Sequence, residues 1–462
     1  MKFISTRNNK DNVDFKDVTL KGLALDGGLY IPEKWRKINP DIFSELNFKE
    51  TVFQTVKIFS GNSICEDLLK NLIDKSYSNF SSDEITPIRK LDNNKFLLEL
   101  FHGPTLAFKD IALQLLGNLF DHFLENKSQK LIIIGATSGD TGSAAIEAVK
   151  ESKYSKIFIL HPHNRVSEFQ RKQMTTVNTN NVHNLAIRGN FDDCQNIIKR
   201  LFRDSSLNNL KLGSINSINW TRIMTQISYY IYAFYKIKRM TNKKNISFSV
   251  PTGNFGDVYA GYLAKKRFNI PITKLIVATN KNNILDRVFK TGIYKKEKVY
   301  QTISPSMDIQ VASNFERLLY DLYQLDSSKV NMLMEKFKNE GKISIDKSAI
   351  MSAREDFISF SVNEKNTAET IRSAYKNYNI VIDPHSAIGL ASAKSFLIDK
   401  KDHAVVTLAT AHPLKFSEAV RDALKFQPSF PLKQKKIFNL KEKYEVLDNS
   451  YEEVRDYIKN KA

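Results

Sequence analysis

Cysteine is almost missing from this chain: 462 residues hold only Cys65 and Cys194, in no CxxC or other metal-like spacing. That excludes a disulfide framework and a thiolate metal centre, and makes a reducing cytoplasm the natural setting. Long apolar runs are also lacking. The opening Met1-Lys2-Phe3-Ile4-Ser5-Thr6-Arg7-Asn8 has no apolar core of the kind a secretory signal needs. Residues 228–234 (SYYIYAF) are too few to span a bilayer and sit in an amphipathic pattern. There is no internal repeat, no low-complexity tract and no basic block, although 69 Lys and Arg against 50 Asp and Glu give a net charge of +19. The cations are interleaved with acids along the whole chain and no nucleic-acid-binding motif accompanies them. They read as a solvated, Lys-rich surface that attracts anionic small molecules, not as a nucleic-acid or membrane footprint.

The content that remains, 42% hydrophobic and 26% charged, is that of a globular protein. Its length exceeds one ordinary core, so two or three sub-domains are expected. Residues 1–85 carry short helical patterns and a glycine turn at Asp26-Gly27-Gly28. From about residue 90, short apolar runs alternate with helical stretches, the pattern of an α/β fold with a largely parallel sheet. Strands are expected at 96–99, 131–134, 157–160, 246–250, 275–278 and 405–409. A helix is expected at 111–124, where Ala112, Leu115, Leu116, Leu119, Phe120 and Phe123 share one face. Residues 295–375 are more polar and read as a helical insertion packed on one flank. The organisation expected is an N-terminal segment (1–85), a catalytic region (86–430) with a smaller mobile sub-domain near 131–190, and a tail (431–462).

Four segments carry chemistry. The first, FHGPTLAFKD (101–110), turns at Gly103-Pro104 and delivers Lys109 to the start of a helix. A lysine partly buried there has a lowered pKa and a free lone pair for a Schiff base with an aldehyde cofactor, although an ordinary solvated lysine fits the same pattern. In the second, GATSGDTGSAA (135–145), a strand passes through small residues into a helix. Its N–H groups, with the hydroxyls of Ser138 and Thr141, suit a carboxylate or phosphate, or simply make a well-capped turn. The third, PTGNFGD (251–257), repeats that strand–turn–helix arrangement, and two such turns suggest two bound anions. In the fourth, VVTLATAHP (405–413), a buried strand ends in Thr410, whose hydroxyl could meet a heterocycle nitrogen. His412 beside it reads as structural.

Taken in order, FHGPTLAFKD, GATSGDTGSAA, SINWTRI (217–223), PTGNFGD and LATAHPLKF (408–416) resemble the threonine synthases of the longer bacterial and fungal type. The opening TRN and VTLKGLALDGGLYIPE are similar to that family's N-terminal segment. The resemblance reaches to about residue 425 and implies a fold type II pyridoxal-phosphate enzyme: two α/β sub-domains with the cofactor between them. It implies that Lys109 holds pyridoxal 5′-phosphate and shuttles protons. Gly253, Asn254, Phe255, Gly256 and Asp257 would surround the cofactor phosphate, with Gly256 either approaching it closely or taking positive φ. Thr410 would meet the pyridine nitrogen. Ser138, Gly139, Asp140 and Thr141 would cradle the substrate carboxylate, and Ser217 and Arg222 the substrate phosphate, in preference to Arg165 or Lys172. Many type II relatives carry Asn in place of Asp140, which leaves the role of this residue open.

The implied reaction converts O-phospho-L-homoserine and water to L-threonine and phosphate, the last step of threonine biosynthesis, in a cytoplasmic protein expected to be monomeric. Its rivals are a serine or threonine dehydratase, a β-replacing synthase of the same fold, and an inactive homologue that only binds. An inactive homologue would be expected to lose the lysine of FKD, which this chain keeps.

Overall fold

The computed structural model describes residues 1–10, 12–125, 130–137, 139–428 and 436–462. The chain opens with an antiparallel pair, β1 (Phe3–Ser5) and β2 (Tyr30–Pro32), followed by β3 (Ile88–Lys90) and β4 (Lys95–Glu99). Next come β5 (Leu131–Ala136), β6 (Ser155–Pro162), β7 (Val182–Ile187) and β8 (Lys211–Gly213). Beyond them lie β9 (Asn245–Pro251), β10 (Leu275–Thr279), and the antiparallel ribbon of β11 (Ile293–Lys295) with β12 (Lys342–Ser344). The last are β13 (Phe357–Ser361), β14 (His403–Ala409) and β15 (Glu445–Leu447).

Apart from the two antiparallel pairs β1-β2 and β11-β12, the strands form two sheets. The larger has the order β13-β10-β9-β14-β4-β3, parallel except for the edge strand β3. The smaller, β15-β7-β6-β5-β8, is parallel throughout. Helices cover both faces of such sheets, so the strands are continuous apolar runs: Leu131 to Ile134 are all buried. The six expected strands form as elements of these sheets, each within a few residues of its expected bounds.

The smaller sheet differs from its expected extent. It runs past residue 190 to β8, and its fifth strand comes from the chain's end. The helix Tyr451–Lys461, in the segment expected to be a mere tail, packs Tyr451, Val454 and Ile458 into the small core with Phe158, Leu185 and Leu201. The expected helical insertion likewise contains β13, which closes the outer edge of the large sheet against β10. Among the described residues, no helix is long and apolar enough to cross a membrane. None of those residues forms a cluster of three or more His, Cys, Asp or Glu that could hold a metal.

The helix Trp220–Met240 runs through the main core, and every residue from Trp220 to Tyr235 is buried. Its first turn therefore carries Arg222 into the interior. In parallel sheets ligands gather at the carboxyl ends of strands, where helix N-termini converge. The segments that follow β4, β5, β9 and β14 at those ends are the four that carry chemistry.

Candidate active site

Lys109 is the first residue of the helix Lys109–Leu124, and the turn before it is tightly specified. Asp110, fully buried, accepts from the Thr105 N–H (2.8 Å) and the Thr105 hydroxyl (2.6 Å). A Cβ on Gly103 would lie 2.4 Å from the Asp110 side chain, so only glycine fits. Leu106 then takes φ 63°, and the backbone N–H of Phe108 donates to Thr410 O at 2.8 Å. The last contact ties the Lys109 turn to the end of β14, bringing together two segments that lie far apart in sequence.

The Lys109 side chain is buried, with Nζ 4.9 Å from the centre of the Phe108 ring and 3.5 Å from Asp140 Oδ2. Burial pushes its pKa down, Arg222 and Lys415 add to that, and Asp140 opposes it. The result is an amine more easily freed of its proton than a surface lysine.

Asp140 begins the helix Asp140–Val149 directly after Gly139, whose φ of 143° is a glycine conformation and whose Cβ would strike Gln170 at 2.6 Å. Thr137 Oγ1 accepts the N–H groups of Gly139 and Gly142, both at 2.9 Å, and so fixes the turn. Asp140 itself is buried and ionised. Burial alone would raise its pKa, but Lys415, Lys109, His385 and Gln170 hold it well below the usual carboxylate range. Thr141 lies half-buried in the same first turn. Ser138 lies outside the described residues.

On the opposite wall, a Cβ on Gly253 would lie 2.8 Å from Ser306 O, so the loop after β9 packs backbone against backbone. Positive φ falls on Phe255 (65°), not on Gly256. The conformation is costly for a phenylalanine, and the buried ring is held there among Phe289, Phe315 and Phe357. Gly256 is constrained differently: its Cβ would press on Asn314 Nδ2 at 3.0 Å and Ile223 Cδ1 at 3.2 Å. Asn314 donates from its side chain to both Asn254 O (3.1 Å) and Ser217 O (3.2 Å), which links the PTGNFGD loop to the segment that leads into the Arg222 helix. Asp257 Oδ1 accepts from the Tyr230 hydroxyl at 2.8 Å and from that of Tyr229, while Oδ2 has no partner among the described residues. Burial raises this carboxyl to about 6, against the pull of the two tyrosines.

Arg222 is 2% exposed. Its Nη1 donates to Ile215 O at 3.1 Å, its Nε has no partner, and no carboxylate among the described residues pairs with it. Burial lowers its pKa to about 10. The rivals for an anion are placed elsewhere: Arg165 is exposed, and Lys172 donates to Phe438 O. Asn219 caps the Arg222 helix by accepting from Thr221 N–H at 2.9 Å. Buried Arg317 donates to Ile218 O and Tyr30 O and braces the same loop. His412 Nδ1 accepts from the Leu414 N–H at 3.1 Å, and burial pushes the ring down to about 4.

Sequence reasoning missed Asn314, Arg317, Ser306, His385 and Lys415. Lys415 lies inside LATAHPLKF and could have been singled out from it. The others lie in stretches with no local signature.

A buried lysine with a depressed pKa at the carboxyl end of a parallel sheet, faced by two glycine-bearing strand–helix turns, defines an enzyme of the pyridoxal-phosphate-dependent class. Residues 82–332 match the pyridoxal-phosphate-dependent enzyme family, residues 2–77 the threonine synthase N terminus and residues 386–458 the threonine synthase C-terminal family. The threonine synthase of Pseudomonas aeruginosa is 44% identical over 99% of this chain and 98% of its own length. The crystal structure of pyridoxal-phosphate-bound threonine synthase from Brucella melitensis superposes with a TM-score of 0.95 at 41% identity, covering 100% of this chain and 99% of that one. The yeast threonine synthase structure gives a TM-score of 0.94 at 40% identity, covering 100% and 98%. The chain belongs to the threonine synthase family, and its cofactor is pyridoxal phosphate.

The residues present fit that cofactor. Lys109 offers a buried amine. The first turn of the helix Gly256–Lys266 leaves N–H groups without intrahelical partners, which suit the cofactor's phosphate. Gly256→Val is expected to release cofactor from protein that is still folded, because the branched side chain would displace Asn314 and with it the Asn254 loop. Gly292→Val, at a helix C-cap with φ 76°, should cost stability yet leave the cofactor affinity of the folded fraction unchanged. Absorbance titration beside thermal unfolding separates the two effects, and equal cofactor retention in both variants would reduce PTGNFGD to an ordinary turn.

Proposed function

We propose that this protein converts O-phospho-L-homoserine and water into L-threonine and inorganic phosphate, with Lys109 as the cofactor-bearing and proton-moving residue. The observation that carries the reading is Arg222. A buried guanidinium without a carboxylate costs several kcal/mol to keep unless an anionic ligand compensates it. It sits close enough to Lys109 to depress that lysine's pKa, so a dianionic group bound there lies next to the reacting centre. A planar guanidinium suits bidentate phosphate binding.

Bound pyridoxal phosphate supplies an electron sink that acidifies the substrate's α-proton. Lys109 Nζ removes the proton from Cα and then one from Cβ, which allows the phosphate to leave Cγ. Lys109 returns one proton to Cγ, water adds its hydroxyl at Cβ, and the second proton goes back to Cα. The net change is one phosphate lost and one water gained. Arg222 and the half-buried Ser217 hold the substrate phosphate, while Ser138, Gly139, Asp140 and Thr141 cradle its carboxylate end through backbone and hydroxyl groups, the Asp140 side chain being engaged with Lys109 and Lys415. Thr410, at the end of β14, meets the ring nitrogen, and Gly253, Asn254, Phe255, Gly256 and Asp257 enclose the cofactor phosphate. Positioning and exclusion of early water are the protein's main contributions, with the smaller sub-domain closing over the site.

We infer that the protein works as a monomer in the cytoplasm. The free thiols of Cys65 and Cys194 support a reducing compartment. Incubating the holoenzyme with O-phospho-L-homoserine should release phosphate and threonine in equal amounts. A 2-oxo acid with ammonia as the main product would point instead to a dehydratase.

A further inference from the structure

A second buried lysine stands behind the first. Lys415, 1% exposed, follows Thr410 by five residues, and its Nζ donates to Gln173 Oε1 (2.7 Å) and Thr105 O (2.8 Å) and pairs with Asp140 Oδ1 (3.1 Å). The same Oδ1 accepts from Gln170 Nε2 at 2.9 Å. Asp140 Oδ2, the other oxygen, accepts from the Ser306 hydroxyl at 3.1 Å and lies 3.5 Å from Lys109 Nζ. One carboxylate is therefore shared by two lysines, one oxygen to each. Ser306 is fixed in turn by its N–H donating to His385 Nε2 at 3.2 Å, with His385 Nδ1 2.7 Å from Asp383.

We infer that Lys415 is a positioning residue for the Lys109 nitrogen: its ammonium clamps Asp140 through Oδ1, so that Oδ2 meets Nζ as part of a nearly neutral pair and not as a full negative charge. The arrangement gives Asp140 its role. An asparagine could occupy the same place without a partner, but a carboxylate opposite Lys109 with no counter-ion would hold that nitrogen in its charged form. Lys415 offsets this attraction while keeping the carboxylate in place. The charged and titratable groups facing Lys109 are Asp140, Lys415, Arg222 and Asp257, with His385 acting on Asp140 from behind. Of these four groups, Lys415 and Asp140 are the cation and anion in contact with each other. Lys415 also pins the Thr105 carbonyl, so a purely mechanical role is the reading to exclude.

The inference rests on Lys109 carrying the cofactor, which borohydride trapping decides separately. The test is an absorbance titration with pH of the lysine–cofactor linkage in the holoenzyme, made on Lys415→Met, Asp140→Asn and the double variant. Removing Lys415 leaves Asp140 uncompensated and favours the charged nitrogen, so the midpoint should move to higher pH. At a fixed pH near the midpoint the ratio of charged to neutral linkage should rise on the order of tenfold. Asp140→Asn removes the anion, leaves Lys415 and Arg222 facing the nitrogen, and should move the midpoint the opposite way. The double variant should return close to the parent value. In Lys415→Met, kcat near neutral pH should fall about tenfold with KM nearly unchanged. Midpoints that stay at the parent value, or single variants that shift in the same direction, overturn the inference and leave Lys415 a mechanical tie. If Lys415→Met does not fold, the acid shift of Asp140→Asn decides alone, and its absence refutes the proposal. Trapping on another lysine would instead refute the assignment of Lys109.

Discussion

Lys109→Ala is expected to abolish threonine formation, lowering turnover by about four powers of ten or more, because one group both holds the cofactor and moves the protons. The fold should survive. Asp140 keeps Lys415, Gln170 and Ser306 as partners, so no carboxylate is stranded when Lys109 is removed. A lysine already pushed toward its neutral form by burial contributes little to stability. Circular dichroism and the unfolding midpoint of the variant should match those of the parent, while its yellow colour is lost. Borohydride reduction of the parent should fix the cofactor on the peptide containing Lys109. A tag on any other lysine would sink the assignment.

The second large effect belongs to Arg222. Arg222→Ala should leave the cofactor's absorbance unchanged and cut kcat/KM for O-phospho-L-homoserine by about two powers of ten, the equivalent of losing a charge-assisted contact of ~3 kcal/mol. Arg222→Lys should recover only part of this, since a point charge cannot reproduce the bidentate fork. A further consequence separates function from packing. A guanidinium buried without a carboxylate burdens the ligand-free fold, so the alanine variant should unfold no earlier than the parent, despite losing its bond to Ile215 O. An ion pair that pinned the helix would behave in the opposite way. Normal turnover in Arg222→Ala would move the phosphate pocket elsewhere, and the exposure of Arg165 makes that residue a poor successor.

The segments that meet at the candidate site were legible in sequence because each is local. A strand, a glycine turn and a helix start are written within about ten residues, whereas the part Asp110 plays in shaping the Lys109 turn became visible only in the structure. The apolar runs of β5, β6, β9, β10 and β14 announce a buried parallel sheet for the same reason. Short or half-exposed elements were not legible. β15 is three residues long and largely exposed, so it has no apolar period, and only its pairing with β7 makes it a strand. β13 directly follows a helix in a polar stretch and became visible through β10.

The amino-acid sequence by itself determined the class of fold and the order of the motifs, because periodicity and turn chemistry act over a few residues, whereas Lys109 was singled out only through the resemblance that those ordered motifs carry. Tertiary structure alone decided what those residues face. It turned Phe255 and not Gly256 into the left-handed residue, since only an aromatic cluster drawn from three distant segments holds that ring in place. It left Arg222 without a carboxylate among the described residues, and it set Asp140 against two lysines that follow the neighbouring strands β4 and β14. The charge state of a buried group depends on what lies within a few ångströms of it, and those neighbours are distant in sequence.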